Sequence, residues 1–178
     1  DSAYSGGKFI VIGTPSGITL APEGGAHQSV VTPSIGVEMP EVAFYEPCFG
    51  KELEWIMMFA LHEVKIRSRS SYLRLTSKRI DQSKFYLPSD VESRERLRLQ
   101  VLGGAYMLLH RGKEITYEPG LNVVNIMACG AMIPEALEAS QRLLNEGVMA
   151  NVINVTGPGP LYRRFQELSN ITIETGYG

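Results

Sequence analysis

Residues 122–157 leave little choice of fold, because they spell strand, helix and strand with almost no chain to spare between them. NVVNIMACG (122–130) is an apolar run of the kind that is buried within a sheet. In the following AMIPEALEASQRLLNEG (131–147), Pro134 suits a helix start and Gly147 a helix stop. Glu135 and Glu138 fall in the first turns, where the helix dipole favours carboxylates. VMANVINVTG (148–157) is the next strand. Two strands joined by one helix through short connections run parallel, with a right-handed crossover. The chain is therefore α/β, a mostly parallel sheet with flanking helices.

The first half follows the same logic less cleanly. KFIVIG (8–13) and VAFYE (42–46) predict strands, and SYLRLTS (71–77) alternates like a third. Between the last two, residues 46–64 predict an amphipathic helix. Pro47 sits at its first position, and Phe49, Leu53, Ile56, Met57, Ala60, Leu61 and Val64 recur at helical spacing. Residues 78–100 turn polar, with Pro88 as punctuation, so the domain boundary is expected near 88, dividing the chain into 1–88 and 89–178. RERLR (94–98) reads as a solvated helical face, and 105–118 as a hairpin turning at Arg111-Gly112.

Bulk properties exclude several classes of function. Hydrophobic residues make up 44% and charged residues 20% of 178, as in a globular protein. A net charge of −2 makes no electrostatic case for nucleic acid or an anionic membrane. No apolar run approaches the ~20 residues that span a bilayer. Cys48 and Cys129 are far apart, without CxxC spacing, so the natural reading is a reducing, cytoplasmic setting. Both ends of the sequence read as cuts through a longer chain.

The long Gly-, Pro- and Ser-rich stretch 14–40 holds the chemistry-bearing motif APEGGAHQS (21–29). Gly24 and Gly25 disfavour a helix at about 1 kcal/mol each and let backbone approach a ligand. His27, titrating near neutrality, reads as a proton carrier or an oxyanion partner, or as a loop histidine bonded to carbonyls. Glu23 could orient it, accept from a substrate hydroxyl, or lie in solvent. His62 and His110 read as ordinary. No metal-ligand spacing, P-loop, nucleophile elbow or dinucleotide fingerprint is present.

Four segments, in order, carry a resemblance. GTPSGITLAPEGGAHQS (13–29), MPEVAFYEPCFGKELEWIMMFAL (39–61), SYLRLT (71–76) and CGAMIPEALEASQRLLNEGVMANVINVT (129–156) together resemble the thiamine-diphosphate-dependent transketolase superfamily. The series looks most like the homodimeric decarboxylating component of 2-oxoacid dehydrogenase complexes, of the pyruvate dehydrogenase (acetyl-transferring) type. The resemblance implies an α/β fold made of the later part of the pyrimidine-binding domain, then a transketolase C-terminal-like βαβ domain. It also implies an oxidoreductase fragment, inactive alone, that decarboxylates a small 2-oxoacid and passes an acyl group to the lipoyl arm of a partner acyltransferase. A transketolase-like ketol transferase and a non-catalytic dimerisation or docking domain are the alternatives.

The family holds thiamine diphosphate and Mg²⁺ through a GDG segment that this sequence lacks, so the main cofactor ligands are expected outside it, in the rest of the enzyme or a second protomer. What the resemblance leaves here is the substrate-facing loop. His27 and Glu23 are its implied catalytic residues, and Thr14, Ser16, Gly24, Gly25 and Gln28 its implied substrate contacts. Pro15 stands where the family's transketolases place a histidine that grips sugar phosphate. That substitution points away from a phosphosugar. Lys78-Arg79 lies near the family's phosphate-binding arginine but in another register, and carries no implied role.

Overall fold

The computed structural model describes residues 6–14, 18–20, 31–39 and 41–174. Its elements run β1 (Ile10–Gly13), α1 (Thr32–Glu38), β2 (Val42–Tyr45), α2 (Gly50–His62), β3 (Ser70–Arg74), α3 (Val91–Gly103), β4 (Tyr106–Leu109), β5 (Val123–Ala128), α4 (Ile133–Asn145), β6 (Met149–Asn154) and α5 (Pro158–Glu174). They form two three-stranded sheets, ordered β1-β3-β2 and β4-β6-β5. The first is wholly parallel, with Ile10 beside Ser71 and Val42 beside Ser70. In the second, β5 and β6 are parallel from Val123–Met149 to Ala128–Asn154, and β4 is antiparallel to β6. The expected α/β class is what forms, and β5-α4-β6 is the unit legible in residues 122–157.

Local departures from the expected elements have identifiable causes. Helix α2 starts at Gly50 rather than near Pro47, with Phe49 extended before it. The Glu52 carboxylate accepts the N–H groups of Cys48 and Phe49, both at 2.8 Å, and so fixes the helix start three residues ahead of itself. Within the polar stretch 78–100 lies the beginning of α3. Asp90 caps it by accepting from the Ser93 N–H at 2.7 Å. Its charged face is solvated, with Arg96 paired to Glu92 and Arg98 to Glu95. The hairpin expected over 105–118 does not form. Strand β4 pairs with β6, more than forty residues away in sequence, and the Arg111 N–H is taken by the Asn151 side chain at 2.8 Å.

The core lies where the two sheets meet. Tyr45, Trp55, Ile56, Leu73, Val101 and Tyr106 form its centre, and Cys48, Phe49 and Ile133 a smaller neighbour. Phe85 bridges the two, with ring centroids 5.3 Å from Phe49 and 6.2 Å from both Trp55 and Tyr106. Burying one large apolar side chain stabilises by about 1.5–3 kcal/mol, so this cluster dominates the fold's cohesion. Polar ties cross the same seam: Tyr45 Oη donates to the Leu102 carbonyl at 2.9 Å, and Thr156 Oγ1 to that of Val101 at 2.6 Å.

Gly104 closes α3 in the left-handed region (φ 105°) and touches the start of α5. A β-carbon there would stand 2.4 Å from the Gly157 carbonyl and 2.8 Å from the Leu161 nitrogen, both backbone atoms that cannot swing aside. Gly104→Ala combines strain at positive φ with overpacking, and is expected to cost about 2–4 kcal/mol in urea unfolding. A loss below 1 kcal/mol would mean that the α3–α5 contact yields easily.

Candidate active-site rim at the carboxyl ends of the strands

Open parallel sheets bind ligands outside the carboxyl ends of their strands. Here both sheets present those ends to one another. Thr14 follows β1, Glu46 follows β2, and Leu75 to Lys78 follow β3. From the second sheet, the turn at Gly130–Met132 follows β5, and Thr156 lies just beyond β6. The Glu46 N–H donates to the Thr156 carbonyl at 2.8 Å, joining the two sets of ends. Thr76 Oγ1 donates to Thr19 Oγ1 at 3.2 Å, and Lys78 pairs with Glu135 at the start of α4. A cavity of about 460 Å³ opens between Ile18, Thr19, Ser77, Lys78, Met132 and Glu135.

Behind the rim sits a buried ion pair. Arg74 Nη1 donates to both Glu46 oxygens at 3.2 Å, and both residues are under 10% exposed. Burial pushes the Glu46 carboxyl up, while the charge and hydrogen bonds of Arg74 pull it back. Gly130 (φ 49°) packs so closely that a β-carbon would stand 2.7 Å from Glu46 Cγ. The thiol of Cys129 is pushed up to about 11 by burial and by Glu46, against Arg74, and Cys48 to about 12 by burial and Glu52. Both thiols are neutral at physiological pH and unsuited to nucleophilic attack.

One step deeper, Glu52 is fully buried and ties the halves together. Its Oε1 accepts from Tyr106 Oη at 2.6 Å and Asn154 Nδ2 at 2.7 Å, while Oε2 serves the start of α2. Burial raises its carboxyl pKa above the ordinary 4.5, opposed by the donors from Phe49, Tyr106 and Cys48. A carboxyl with a raised folded-state pKa contributes stability that is complete below 4.5 and is lost as pH rises through the folded value. The stability of the native protein relative to Glu52→Gln is therefore expected to fall as pH rises from about 4.5, as read by urea unfolding across pH 4.5–8. A pH-independent difference would contradict the raised carboxyl. The lowered carboxyls of Asp81, Asp90 and Glu135 act with the opposite sign and at lower pH, outside that window.

Among the residues singled out from the sequence, Thr14 lies exposed at the end of β1, on the rim. Ser16, Glu23, Gly24, Gly25, His27 and Gln28 lie outside the described residues. His62 and His110 are ordinary: the first lies 3.7 Å from the Glu63 carboxylate, the second contacts Gly112 and Tyr117. The sequence reading did not single out Glu46, Glu52, Arg74, Asn151 or Asn154. A signal was present, since each is a polar residue inside or beside an apolar strand or helix face. Such positions stay buried only when paired.

No family model matches the chain. A subunit described as a 6-deoxy-6-sulfo-D-fructose transketolase subunit, SqwH, from Clostridium sp. (strain MSTE9) is 29% identical over 156 residues, covering 86% of this chain. Solved transketolases share the fold: that of Leishmania mexicana superposes with a TM-score of 0.60 at 19% identity over 79% of this chain, and that of Campylobacter jejuni with 0.59 at 19% over 87%. The chain is similar in sequence to a transketolase subunit and shares the transketolase fold. A split-gene transketolase, described as an inactive beta4 tetramer, matches with a TM-score of 0.55 at 19% identity over 88% of this chain and 42% of its own. The chain spans 40% of the curated relative and about a fifth of these two transketolases. Being transketolases, these relatives favour the ketol-transferase alternative over the pyruvate dehydrogenase reading.

Proposed function

We propose that this chain is one part of a thiamine-diphosphate-dependent ketol transferase, supplying the rim against which a ketose is held. The observation that carries the reading is the match to a transketolase subunit over 86% of the chain. The converging strand ends, with an open cavity between them, support it. Among the described residues no group of three or more His, Cys, Asp or Glu is placed to hold a metal ion. The described donors do not fit Mg²⁺ and diphosphate, and in this reading those ligands belong to a partner subunit or a further segment. The split-gene neighbour supports a division of that kind.

On the substrate side, Pro15 in place of a phosphate-gripping histidine fits a ketose ending in another anion, and the relative's substrate bears a sulfonate. His27 would hold or move a proton at the reacting substrate oxygen, with Glu23 orienting it and Thr14, Ser16, Gly24, Gly25 and Gln28 shaping the approach. The division near residue 88 would separate the rim-bearing part from the C-terminal-like part. Two free thiols fit a cytoplasmic setting. No described helix is long and apolar enough to cross a membrane.

The test is an assay of the protein with its partner subunit, thiamine diphosphate and Mg²⁺ on three substrates: xylulose 5-phosphate, 6-deoxy-6-sulfofructose and pyruvate. Ketol transfer is expected, with 6-deoxy-6-sulfofructose preferred over xylulose 5-phosphate. Turnover of pyruvate alone, with a lipoyl acceptor, would restore the dehydrogenase reading.

A further inference from the structure

We propose that the groove between residues 78–84 and the start of α4 is a second ligand site, taking a small amphipathic anion: a carboxylate or phosphate on an apolar body. The groove measures about 560 Å³, within the range of small-molecule pockets, and shares only Lys78 with the rim cavity. Its floor is apolar, built by Phe49, Ile80, Ile133 and Leu137, side chains that also make the smaller core cluster. That floor is therefore preformed.

Charge at the groove's edge is unbalanced. Four cations (Lys78, Arg79, Lys84 and Arg111) line it, against the carboxylates of Asp81 and Glu138. Both carboxylates are engaged: Asp81 accepts from the Ser83 N–H and hydroxyl, and Glu138 pairs with Arg142. Lys78 is matched by Glu135. Among the described residues, Arg79 has no side-chain hydrogen bond or ion pair. Lys84 has none either, acting on Asp81 only through its field. Arg111 is the fixed member. Ser140 Oγ and Gln141 Oε1 hold its guanidinium at 3.2 Å, while Glu114 stands off at 3.6 Å.

A neutral apolar molecule would use the floor and leave the cations idle. Inorganic phosphate would use the cations and leave the floor wet. An anion on an apolar body uses both, with Arg111 fixed in place and Arg79 and Lys84 free to close on the head group. The site stands apart from ketol transfer and does not depend on that reading.

Fluorescence titration of the full chain compares 8-anilinonaphthalene-1-sulfonate with its uncharged analogue N-phenyl-1-naphthylamine. The anion is expected to saturate one site per chain, at least about tenfold tighter than the neutral probe. Arg79→Glu combined with Lys84→Glu should weaken the anion about tenfold or more, while neutral-probe binding and the thermal midpoint persist. Both substituted residues are exposed and away from the core. Displacement by phenyl phosphate or by benzoate identifies the preferred head group. Equal binding of the two probes, undiminished anion binding in the charge-reversed variant, or displacement by inorganic phosphate as effective as by phenyl phosphate would each overturn the proposal.

Discussion

Glu52→Ala is expected to lower the unfolding free energy by about 3–5 kcal/mol at pH 7, measured by urea denaturation. Four donors converge on this one carboxylate: Tyr106 Oη, Asn154 Nδ2, and the N–H groups of Cys48 and Phe49. Each buried donor left without a partner costs about 1–3 kcal/mol. The total stays below the sum because alanine also removes a carboxylate that is expensive to desolvate. Asn154 Nδ2 also contacts Tyr106 Oη at 3.2 Å, which offsets part of the damage. Glu52→Gln keeps the shape and one acceptor, so its loss should be about half as large. The effect is larger than that of any surface pair here because Glu52 joins α2 to both β4 and the end of β6. Removing it loosens the seam on which the rim is built. A loss under about 1 kcal/mol for the alanine variant would show that the seam is held by the apolar cluster alone.

The second large effect belongs to the proposed site. In the enzyme assembled with its partner, His27→Ala is expected to cut ketol transfer about 10²–10⁴-fold, the usual contribution of a positioned acid or base. The thermal midpoint of the chain should not move, since the Gly-rich motif around His27 offers little apolar surface to bury. His27→Gln, which can donate a hydrogen bond but cannot titrate, separates two roles. Recovery of most of the activity would mean that the imidazole holds an oxygen, and no recovery that it moves a proton. Turnover unchanged in the alanine variant would remove His27 from the site.

Legibility from sequence differed between the two halves of the chain for a physical reason. The β5-α4-β6 unit is ruled by near neighbours: Pro134 and Gly147 bracket the helix, and the apolar runs on either side form strands. Only β6 is buried as expected, whereas β5, at the sheet edge, leaves Val124 and Met127 exposed. Periodicity exposes such units. Helix α2 was legible as a helix, yet its start was misplaced. The Glu52 carboxylate, rather than Pro47, decides where the first turn begins. The failed hairpin at 105–118 shows the converse, since β4 pairs with the distant β6 through a short, bulged antiparallel ladder, and the turn-like residues at Arg111-Gly112 form no local strand pair.

For the candidate site, the resemblance marked one contiguous stretch of sequence, because the motif that carries it is local. The Glu46–Arg74 pair and the Glu52–Tyr106–Asn154 cluster escaped that reading, their members being 28 to 102 residues apart. Each residue alone is one polar letter in an apolar run.

From the order of its residues alone, this chain settles its class: alternating strands and helices, and a right-handed βαβ unit. These are consequences of local periodicity, helix signals and short connections, which need no knowledge of distant contacts. Tertiary structure alone decided which strand β4 joins, and that the carboxyl ends of two sheets meet at one rim. It also decided that a buried carboxylate stitches them together, and that surplus cations collect beside an apolar groove. Such features depend on which residues become neighbours in space. Burial then turns a single charge or amide from a surface detail into several kilocalories of constraint.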